Sequence, residues 1–533
     1  MPIILRTSRE PAEEYVAWIS INNVPTWLDH SKKFTDIGHR LEEVFNTIGE
    51  ELWEIGRRLG MPLSGRFAHT PTAAVYNCDL GLMMAWSKLI EELSTSRKKI
   101  LVICDDPWMF RHLASISGVE TGNPPPLWPS WFRYQARGYM ARMFFCLRII
   151  WYMLATRHQR SNHRKAAHVL MVYGHPDSND NGWDAYFGNL MREYSSLVRL
   201  VHTDGSINVA QAMSVDGKTA SLHAWGNWIV ALSLIFSRWR AALSELTGYY
   251  GWLVRRAVVK ENSTAAIATN HWQTYCQDRW IAEICPTVVC WPWENHPWER
   301  NFVRSARQKG IHTCGYQHTV IGPHQFNYAL ATNPDGLTSI PDKVICNGPA
   351  YRRQLLKWGI PKDRLEIGGA FRIVHSKTGQ YDPSAPIFVA LSAIPEISKQ
   401  MMAAVNRADK NGRIFYVKDH PLYTFDINET STIRKTEESI PGHDNISAVF
   451  FGTGTSGLEG VLAGIPTFKF QPDDCVSINI LPDNITVKSV SSDNFDDALN
   501  NPPPVPDISW ESVFSDPDLL VWKHQLKLGK KEP

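Results

Sequence analysis

Charge of either sign is nearly balanced in this sequence of 533 residues, with 55 lysines and arginines against 53 aspartates and glutamates. The net charge of +2 excludes a protein that binds polyanions over its whole surface, and we expect no nucleic-acid partner. The nine cysteines are odd in number, and no two of them have Cys-x-x-Cys spacing. That pattern argues against a disulfide framework and a structural zinc site, and it favours a reducing compartment.

Long apolar runs and common catalytic signatures are also missing. No apolar stretch reaches the roughly 20 residues of a membrane-spanning helix, and the first residues lack a signal-peptide pattern, so we expect a cytoplasmic protein. There is no His-Glu-x-x-His pair, no Gly-x-Ser-x-Gly elbow and no complete Gly-x-x-x-x-Gly-Lys-Ser/Thr phosphate loop. These absences argue against a zinc hydrolase, a serine hydrolase of that type and a P-loop NTPase. We expect neither a metal nor an organic cofactor.

One segment is strongly one-sided in charge, because no acidic residue occurs between Glu120 and Asp177. Its arginines are interleaved with bulky apolar and aromatic side chains, and those expected at a membrane are Arg133, Arg137, Arg142 and Arg148. Aromatic rings and long arginine stems suit the headgroup region of an anionic bilayer. The segment therefore predicts a helix or helix pair resting on a membrane, with an ordinary buried helix pair as the alternative. A second apolar stretch, 228–239, is expected to be a core helix.

Short apolar runs alternate with helical patterns along most of the chain. The runs KKILVICDDP (98–107) and AAHVLMVYGHPDS (166–178) are typical of buried parallel strands. Strands of this kind separated by helices predict an α/β fold with two Rossmann-like doubly wound domains. In such a pair we expect the ligand at the carboxyl ends of the strands, in the cleft between the domains.

The predicted organisation has four parts. They are an N-terminal helical portion (1–95), a first Rossmann-like domain (96–335) with a basic amphipathic helical insertion near 125–165, a second Rossmann-like domain (336–500) and a C-terminal tail (501–533). No internal repeat or low-complexity tract is visible in the sequence. A chain of this length can bury more than one large core.

A loop rich in glycine and hydroxyl groups directly follows the apolar run AVFF and precedes a helical pattern. Backbone N–H groups at such a helix start can hold a phosphate, and neighbouring hydroxyls can add donors. The predicted phosphate-binding residues are Gly452, Thr453, Gly454, Thr455 and Ser456. Because no P-loop lysine follows, we expect this loop to bind a nucleotide or a sugar phosphate in a protein that is not an NTPase. A tight turn between strand and helix with no ligand is the alternative.

A second motif, Lys-Asp-His-Pro, follows the apolar run RIFYV one element earlier. Its position predicts Lys418, His420 and Pro421 at the end of a strand, beside the phosphate loop. Lys418 and His420 can neutralise a departing phosphate, and His420 can also donate a proton to it. A histidine that merely sits in a turn before a rigid proline is the alternative.

The first half of the chain offers a carboxylate for the same cleft. Glu294 lies in the sequence WPWENHPWER after the apolar run TVVC, where it can act as a general base or a nucleophile. Asp177 is the second candidate carboxylate. Other residues that follow predicted strands and are expected at the acceptor side of the cleft are Trp293, Gln317, His318 and His175.

The second half of the sequence resembles the nucleotide-binding domain of GT-B glycosyltransferases. It is most similar to bacterial surface-polysaccharide transferases that use CMP-activated acidic sugars, in which a Lys-x-His-Pro motif and a Ser/Thr-rich loop follow two strands. Here these motifs are Lys418–Pro421 and Thr453–Ser456. Asp105-Asp106 is followed by Pro107, whereas sialyltransferases of this group have a glycine after an acidic pair, so the resemblance favours Kdo or another acidic sugar. It implies a carboxylate nucleophile, which Glu294 matches.

These observations predict a metal-independent glycosyltransferase at the inner face of the cytoplasmic membrane. It would move a sugar from a nucleotide donor, CMP-Kdo or a related CMP-linked acidic sugar, to a lipid-linked or growing surface glycan such as O-antigen or capsule. Two enzymes remain as alternatives on the same scaffold, a sugar-nucleotide epimerase and a CDP-polyol phosphotransferase. A non-catalytic scaffold of polysaccharide assembly is the alternative of a different class.

Overall fold

The computed structural model describes residues 2–12, 14–21, 24–96, 98–373, 380–409, 412–420 and 423–529. In this part of the chain, the three larger sheets consist of parallel strands, and helices connect most of them. Their short runs of valine, isoleucine, leucine and phenylalanine are buried on both faces, which is why they read as continuous apolar runs. The predicted α/β fold with two Rossmann-like sheets is confirmed.

A four-stranded sheet comes first along the chain, with the strand order β2-β3-β1-β4. Its strands are β1 (Ile3–Arg6), β2 (Ala17–Ile21), β3 (Ile100–Cys104) and β4 (Val119–Thr121), and the helices of this region are α1 (Ile37–Thr47), α2 (Gly49–Gly60), α3 (Leu80–Ser94) and α4 (Pro107–Leu113). The prediction of a purely helical portion over 1–95 is therefore wrong, since β1 and β2 lie in it. The run at 98–107 pairs with these two strands, so it belongs to this sheet and not to a Rossmann-like one.

A seven-stranded sheet follows, with the order β11-β10-β9-β8-β5-β6-β7. Its strands are β5 (His168–Val172), β6 (Leu197–Val201), β7 (Thr219–Ser221), β8 (Val288–Pro292), β9 (His312–Gln317), β10 (Lys343–Cys346) and β11 (Leu365–Ile367). The helices of this region are α5 (Leu127–Thr156), α6 (Leu190–Glu193), α7 (Ile207–Met213), α8 (Trp228–Ser233), α9 (Leu243–Thr247), α10 (Gly251–Glu261), α11 (Ala266–Ile284), α12 (Pro297–Gln308) and α13 (Pro349–Lys357).

A six-stranded sheet completes the fold, with the order β15-β14-β13-β17-β18-β19, and a two-stranded ribbon, β12 with β16, lies apart from it. The strands are β12 (Gln380–Tyr381), β13 (Ile387–Ala390), β14 (Phe415–Lys418), β15 (Ile433–Lys435), β16 (Asn445–Ile446), β17 (Ala448–Phe451), β18 (Thr467–Phe470) and β19 (Lys488–Val490). The remaining helices are α14 (Pro395–Ala408), α15 (Ser456–Leu462), α16 (Phe495–Asn500), α17 (Trp510–Val513) and α18 (Leu519–Gln525). Because β14 and β17 flank β13, their carboxyl ends lie one strand apart at the same edge.

Two segments assigned by sequence to the last parts of the chain belong to the seven-stranded sheet. Strands β10 and β11 pair with β9 and with each other, which corrects the predicted start of the second Rossmann-like domain at 336. The tail also returns to this sheet, since the Trp522 ring is fully buried against Tyr316 at 5.0 Å and its indole nitrogen donates to the Gly368 carbonyl at 2.8 Å. Contacts between distant segments, which local patterns do not show, determine both assignments.

The basic segment forms one helix of 30 residues, α5, and no helix of the described ranges is long and apolar enough to cross a membrane. Arg142 is buried in it and donates to the carbonyls of Ile235 (2.9 Å) and Asn262 (2.7 Å), so its predicted membrane contact is wrong. The stretch 228–239 is also not the core helix that we predicted. Only part of it is buried, while large apolar side chains such as that of Phe236 face solvent.

Candidate active site

A cavity of about 570 Å³ opens where the carboxyl ends of the seven-stranded and six-stranded sheets face each other. Residues that follow β8 line one wall, and residues that follow β14 and β17 line the other. The predicted site residues in its lining are Glu294, Lys418, His420, Thr453, Gly454, Thr455 and Ser456. The tertiary structure therefore brings the candidate carboxylate and the candidate phosphate-binding groups into one cleft.

The loop after β17 is built so that one of its glycines faces open space. A Cβ atom at Gly452 would lie 2.9 Å from the Met401 sulfur, and one at Gly457 would lie 2.5 Å from the Phe451 ring, so both glycines serve close packing. A Cβ atom at Gly454 would meet no atom within 4 Å. Thr453 is buried and its hydroxyl bonds to the Ser392 hydroxyl at 2.8 Å, which fixes the start of the loop.

Thr455 and Ser456 are partly exposed residues at the start of α15, and the Thr455 side chain hydrogen-bonds with Glu459. The first N–H groups of a helix have no partner within it, and Thr455 makes no side-chain capping bond. Donors are thus available on the cavity wall at the place where the sequence predicts a phosphate. Because α15 has only seven residues, its dipole is short, and the neighbouring side chains must supply most of the positive charge.

Those neighbours are Lys418 and His420, at and after the end of β14. The Lys418 ammonium donates to the Glu437 carbonyl at 2.9 Å, which holds it near the cavity. Burial lowers the pKa of His420, so in the empty cleft this imidazole is neutral at pH 7. A bound phosphate would favour its protonated form. Pro421 lies outside the described residues.

Glu294 is held at the opposite wall by a turn that its own sequence builds. The buried Glu299 carboxylate accepts the backbone N–H groups of Glu294 (3.0 Å) and Asn295 (2.7 Å) at the start of α12. Asn295 adopts a left-handed conformation with φ of 57°, which reverses the chain after β8. The Arg300 guanidinium donates to the Asn295 carbonyl at 3.0 Å and secures the same turn. Glu299 in the first turn of α12 therefore fixes the backbone around Glu294 and does not itself line the cavity.

Two histidines flank the Glu294 carboxylate, which keeps 31% of its side chain exposed to the cavity. His296 Nε2 lies 2.7 Å from one carboxylate oxygen, and His318 Nε2 lies 3.7 Å from the other. Burial would raise the pKa of Glu294, but the hydrogen bond and charge of His296, with the charges of His318 and Arg372, outweigh burial and lower the pKa to about 2. At neutral pH the cleft therefore presents an ionised carboxylate, as a base or nucleophile requires.

The ion pair of Glu294 with His296 predicts a pH-dependent contribution to stability. The pKa of Glu294 falls from 4.5 to about 2 on folding, so its stabilising effect is lost as the pH falls through that range. Burial would lower the pKa of His296, but Glu294 holds it above the ordinary 6.5, so the effect is also lost as the pH rises past the folded pKa. We expect Glu294→Gln to lower the free energy of unfolding by about 1 kcal/mol near pH 5.5 and by less at pH 3 and pH 9. Urea unfolding of both proteins at the three pH values measures this, and a pH-independent difference would contradict it.

Two predicted cleft residues are instead part of the interior. The Trp293 side chain is fully buried, packs on Tyr328 at 5.4 Å and does not line the cavity. The backbone N–H of Trp293 donates to the Tyr316 carbonyl at 2.7 Å, which extends the β8–β9 pairing by one residue and turns the indole into the core. Gln317 is fully buried as well, and its side-chain oxygen accepts the Asn347 N–H at 3.1 Å. Both predictions are therefore corrected.

None of the predicted residues His318, His175 and Asp177 lines the cavity itself. His318 is buried beside Glu294, and its ring contacts that of Tyr186 at 5.0 Å. The His175 ring contacts the same tyrosine at 6.2 Å. Asp177 has 77% of its side chain exposed and does not line the cavity. The structure thus brings His318 to Glu294 and leaves Asp177 outside.

Sequence patterns missed several residues at the cavity. Tyr76 and Asn77 line it from a loop before α3, where no strand or motif marks them. Glu459 lines it from the first turn of α15, and burial raises the pKa of this carboxyl. Arg372 follows β11 and lies over the Tyr186 ring at 4.8 Å. Of these residues, only Glu459 lies near a motif that the sequence revealed, three residues after the predicted phosphate-binding loop.

No cluster of three or more histidine, cysteine, aspartate or glutamate side chains suited to a metal occurs in the part of the chain that the structure describes. The cavity instead combines one ionised carboxylate with a lysine, a neutral histidine and backbone donors. Metal independence remains a prediction.

The fold and site define an α/β protein with a polar cleft between two Rossmann-like sheets. No protein-family model matches the sequence, and no curated protein matches it either. Among solved structures, the glycosyltransferase of kitacinnamycin aligns with a TM-score of 0.38 and 12% identity over 68% of this chain and 94% of that one. A Staphylococcus aureus MnaA–UDP structure aligns with a TM-score of 0.38 and 11% identity over 68% and 98%.

The UDP-GlcNAc 2-epimerase from Neisseria meningitidis bound to UDP-GlcNAc also aligns, with a TM-score of 0.32 and 9% identity over 56% of this chain and 81% of that one. Likenesses this distant assign no activity to the chain.

Proposed function

We propose that this chain is a glycosyltransferase that uses a nucleotide-activated sugar. The observation that supports it is that Glu294, Lys418, His420 and the loop at 453–456 line one cavity. Transfer of a sugar requires stabilisation of the leaving nucleotide phosphate on one side and a base or nucleophile at the reacting sugar on the other. This cleft has groups for both tasks on opposite walls.

In the proposed reaction, the loop N–H groups and hydroxyls hold the donor phosphate, and Lys418 balances its charge. His420 gains a proton as the phosphate binds and stabilises the negative charge that develops on the departing nucleotide. Glu294 either takes the proton of the acceptor hydroxyl or attacks the anomeric carbon. The first role inverts the configuration of the sugar, and the second retains it through a covalent intermediate.

For the donor we propose CMP-Kdo or a related CMP-linked acidic sugar, on the resemblance of the Lys-x-His-Pro and Ser/Thr motifs. For the acceptor we propose a lipid-linked or growing surface glycan, which places the protein at the cytoplasmic face of the inner membrane. The exposed apolar face of α5 supports that location. The chemistry needs no metal, because cationic side chains and backbone donors surround the donor phosphate.

Thermal unfolding with CMP, CDP, UDP, GDP and NAD tests the donor class. A ligand at 100 times its dissociation constant adds about 2.7 kcal/mol to the free energy of unfolding. We expect a shift with CMP. A shift with UDP or GDP alone would keep a nucleotide-sugar enzyme but overturn the CMP donor. The absence of a shift with every nucleotide would overturn the transferase and favour a non-catalytic scaffold.

Gly454→Ala locates the donor phosphate. The added methyl group has open space in the protein, so we expect the free energy of unfolding to change by less than about 0.5 kcal/mol. A phosphate held by the loop would meet this methyl group, and we expect nucleotide affinity to fall at least tenfold. Gly248→Ala is the control, because this exposed glycine also has room for a Cβ, 3.4 Å from the nearest atom. Unchanged affinity in Gly454→Ala would remove the loop from the donor site.

An epimerase is the second candidate, and two of the carboxyl groups that line the cavity, those of Glu294 and Glu459, favour it. Glu294 is ionised, while burial favours the protonated form of Glu459. A pair with opposed pKa shifts can remove a proton from a sugar and return one. Incubation with CMP-Kdo and UDP-GlcNAc in D₂O separates the reactions, because an epimerase incorporates deuterium into the sugar and a transferase does not.

A further inference from the structure

The outward face of α5 is apolar along most of its length. One side of the helix packs on the protein through small and apolar residues such as Gly138, Cys146 and Ile149. The other side has large exposed side chains, for example Phe144 at 65% exposure. The exposed members of this face are Trp128, Trp131, Phe132, Tyr139, Met140, Met143, Phe144, Leu147, Trp151 and Leu154. Apolar patches of this extent mark contact with another hydrophobic phase or molecule.

A second apolar segment lies beside α5. Helix α8 and the turn that follows it pack against α5, and their exposed large side chains are Trp228, Ile229, Leu232, Phe236 and Leu243. Two arginines join the segments. Arg142 of α5 donates to the Ile235 carbonyl at 2.9 Å, and Arg238 lies over the Tyr139 ring at 4.4 Å. The buried Arg142 therefore holds two exposed apolar elements side by side.

Positive charge runs along one edge of this face. Arg133, Arg137 and Arg148 are exposed, and at 3.6 residues per turn they fall within an arc of about 60° next to the apolar stripe. Arg142, which would break the pattern, is buried. No acidic residue occurs from 121 to 176. Long arginine stems beside an apolar stripe can reach anionic headgroups while the stripe enters the acyl region.

We propose that α5 and the segment 228–243 form one surface, about 45 Å long along α5, that docks on an anionic lipid bilayer. We name it the α5 surface. A second copy of the chain fits this surface less well, because α5 has no acidic side chain that could pair with the arginines of another α5. A bilayer satisfies the apolar stripe and the arginines together. The α5 surface does not depend on the donor site.

Flotation of the full chain with vesicles tests the proposal in the absence of nucleotide. We expect binding to phosphatidylcholine vesicles that contain about 30 mol% phosphatidylglycerol, and weaker binding to pure phosphatidylcholine or at high salt. The double variant Ile229→Ser/Phe236→Ser tests the second segment and should lower vesicle binding about tenfold or more. Val215→Ser/Leu520→Ser is the matched control, since these side chains are equally exposed outside the surface, at 78% and 77%.

Charge reversal tests the arginine edge. Arg133→Glu/Arg137→Glu/Arg148→Glu should abolish the preference for anionic vesicles, while Arg434→Glu, at an exposed arginine elsewhere, should retain it. Thermal unfolding and CMP-induced shifts of each variant show whether the fold and the donor site are intact.

Three results would overturn the α5 surface. The first is no vesicle binding by the unmodified chain, and the second is unchanged vesicle binding by the Ile229→Ser/Phe236→Ser variant. The third is that the unmodified chain forms concentration-dependent dimers, the variant stays monomeric, and neither protein binds vesicles. The last result would assign the face to a second copy. None of them bears on nucleotide binding, so failure here is distinct from failure of the proposed transferase.

Discussion

Glu294→Gln should lower the turnover of the bound donor by about 10³-fold and leave nucleotide affinity nearly unchanged. The substitution preserves the shape of the side chain but removes the charge that His296, His318 and Arg372 stabilise. The amide can neither attack an anomeric carbon nor take a proton from a hydroxyl. Release of free nucleotide from the donor that stabilises the fold, followed under single-turnover conditions, measures the effect.

Asp177→Asn is the control for this experiment, because the same change is made at the other candidate carboxylate. Asp177 is exposed outside the cavity, so we expect turnover to stay within twofold of the unmodified chain. Loss of activity in Asp177→Asn with normal activity in Glu294→Gln would reverse the assignment. Equal losses of turnover in both variants would show that both carboxylates take part in the reaction, which would contradict the assignment to Glu294 alone.

Arg256→Met should lower the free energy of unfolding by about 3 kcal/mol, because it leaves the largely buried Asp106 without a cationic partner and leaves Asp79 with Lys260 alone. Arg256 has 4% of its side chain exposed and joins α10 to the N-terminal region. Its guanidinium contacts Asp79 at 2.7 and 2.9 Å and Asp106 at 2.6 Å. Asp106 caps α4, and Asp79 ends the loop that brings Tyr76 to the cavity.

The neighbouring exposed arginine supplies the control. Arg255→Met removes a guanidinium from the same helix, where it donates to the Leu246 carbonyl at 3.1 Å, and should cost less than about 1 kcal/mol. Denaturant unfolding followed by tryptophan fluorescence compares the two variants. Equal stability of both would show that the buried pair contributes no net stabilisation. Partial recovery in Arg256→Met/Asp79→Asn would confirm that the uncompensated carboxylate causes the loss.

The two phosphate-side motifs and Glu294 were predictable because each follows an apolar run directly. A buried strand that ends in glycine, hydroxyl or charged residues places those residues at the carboxyl edge of a parallel sheet, whatever the rest of the chain does. The same reasoning failed one residue away, at Trp293. Side chains alternate along a strand, and the extra bond from Trp293 to Tyr316 sets which of two adjacent residues faces the core.

Sheet membership could not be predicted from the local patterns. The strand at Ile100–Cys104 has the composition of any buried strand, and only its pairing with Ile3–Arg6 and Ala17–Ile21 assigns it to a separate sheet. The position of Arg142 shows the same limit on α5. In the sequence, Arg142 is interleaved with apolar residues in the same way as the exposed Arg137 and Arg148. It is buried because carbonyls of residues far away in the chain accept its hydrogen bonds.

The amino-acid order was therefore sufficient for what depends on neighbours in the chain: an α/β fold, a loop rich in glycine and hydroxyl groups after one strand and a carboxylate after another. Long-range packing was needed to show that Glu294 faces that loop, that Tyr76 and Glu459 share its cavity, and that Asp177 does not. It also showed that two apolar segments far apart in sequence expose adjoining faces. Hydrophobic periodicity determines which elements form, whereas contacts between distant residues determine which side chains those elements bring together.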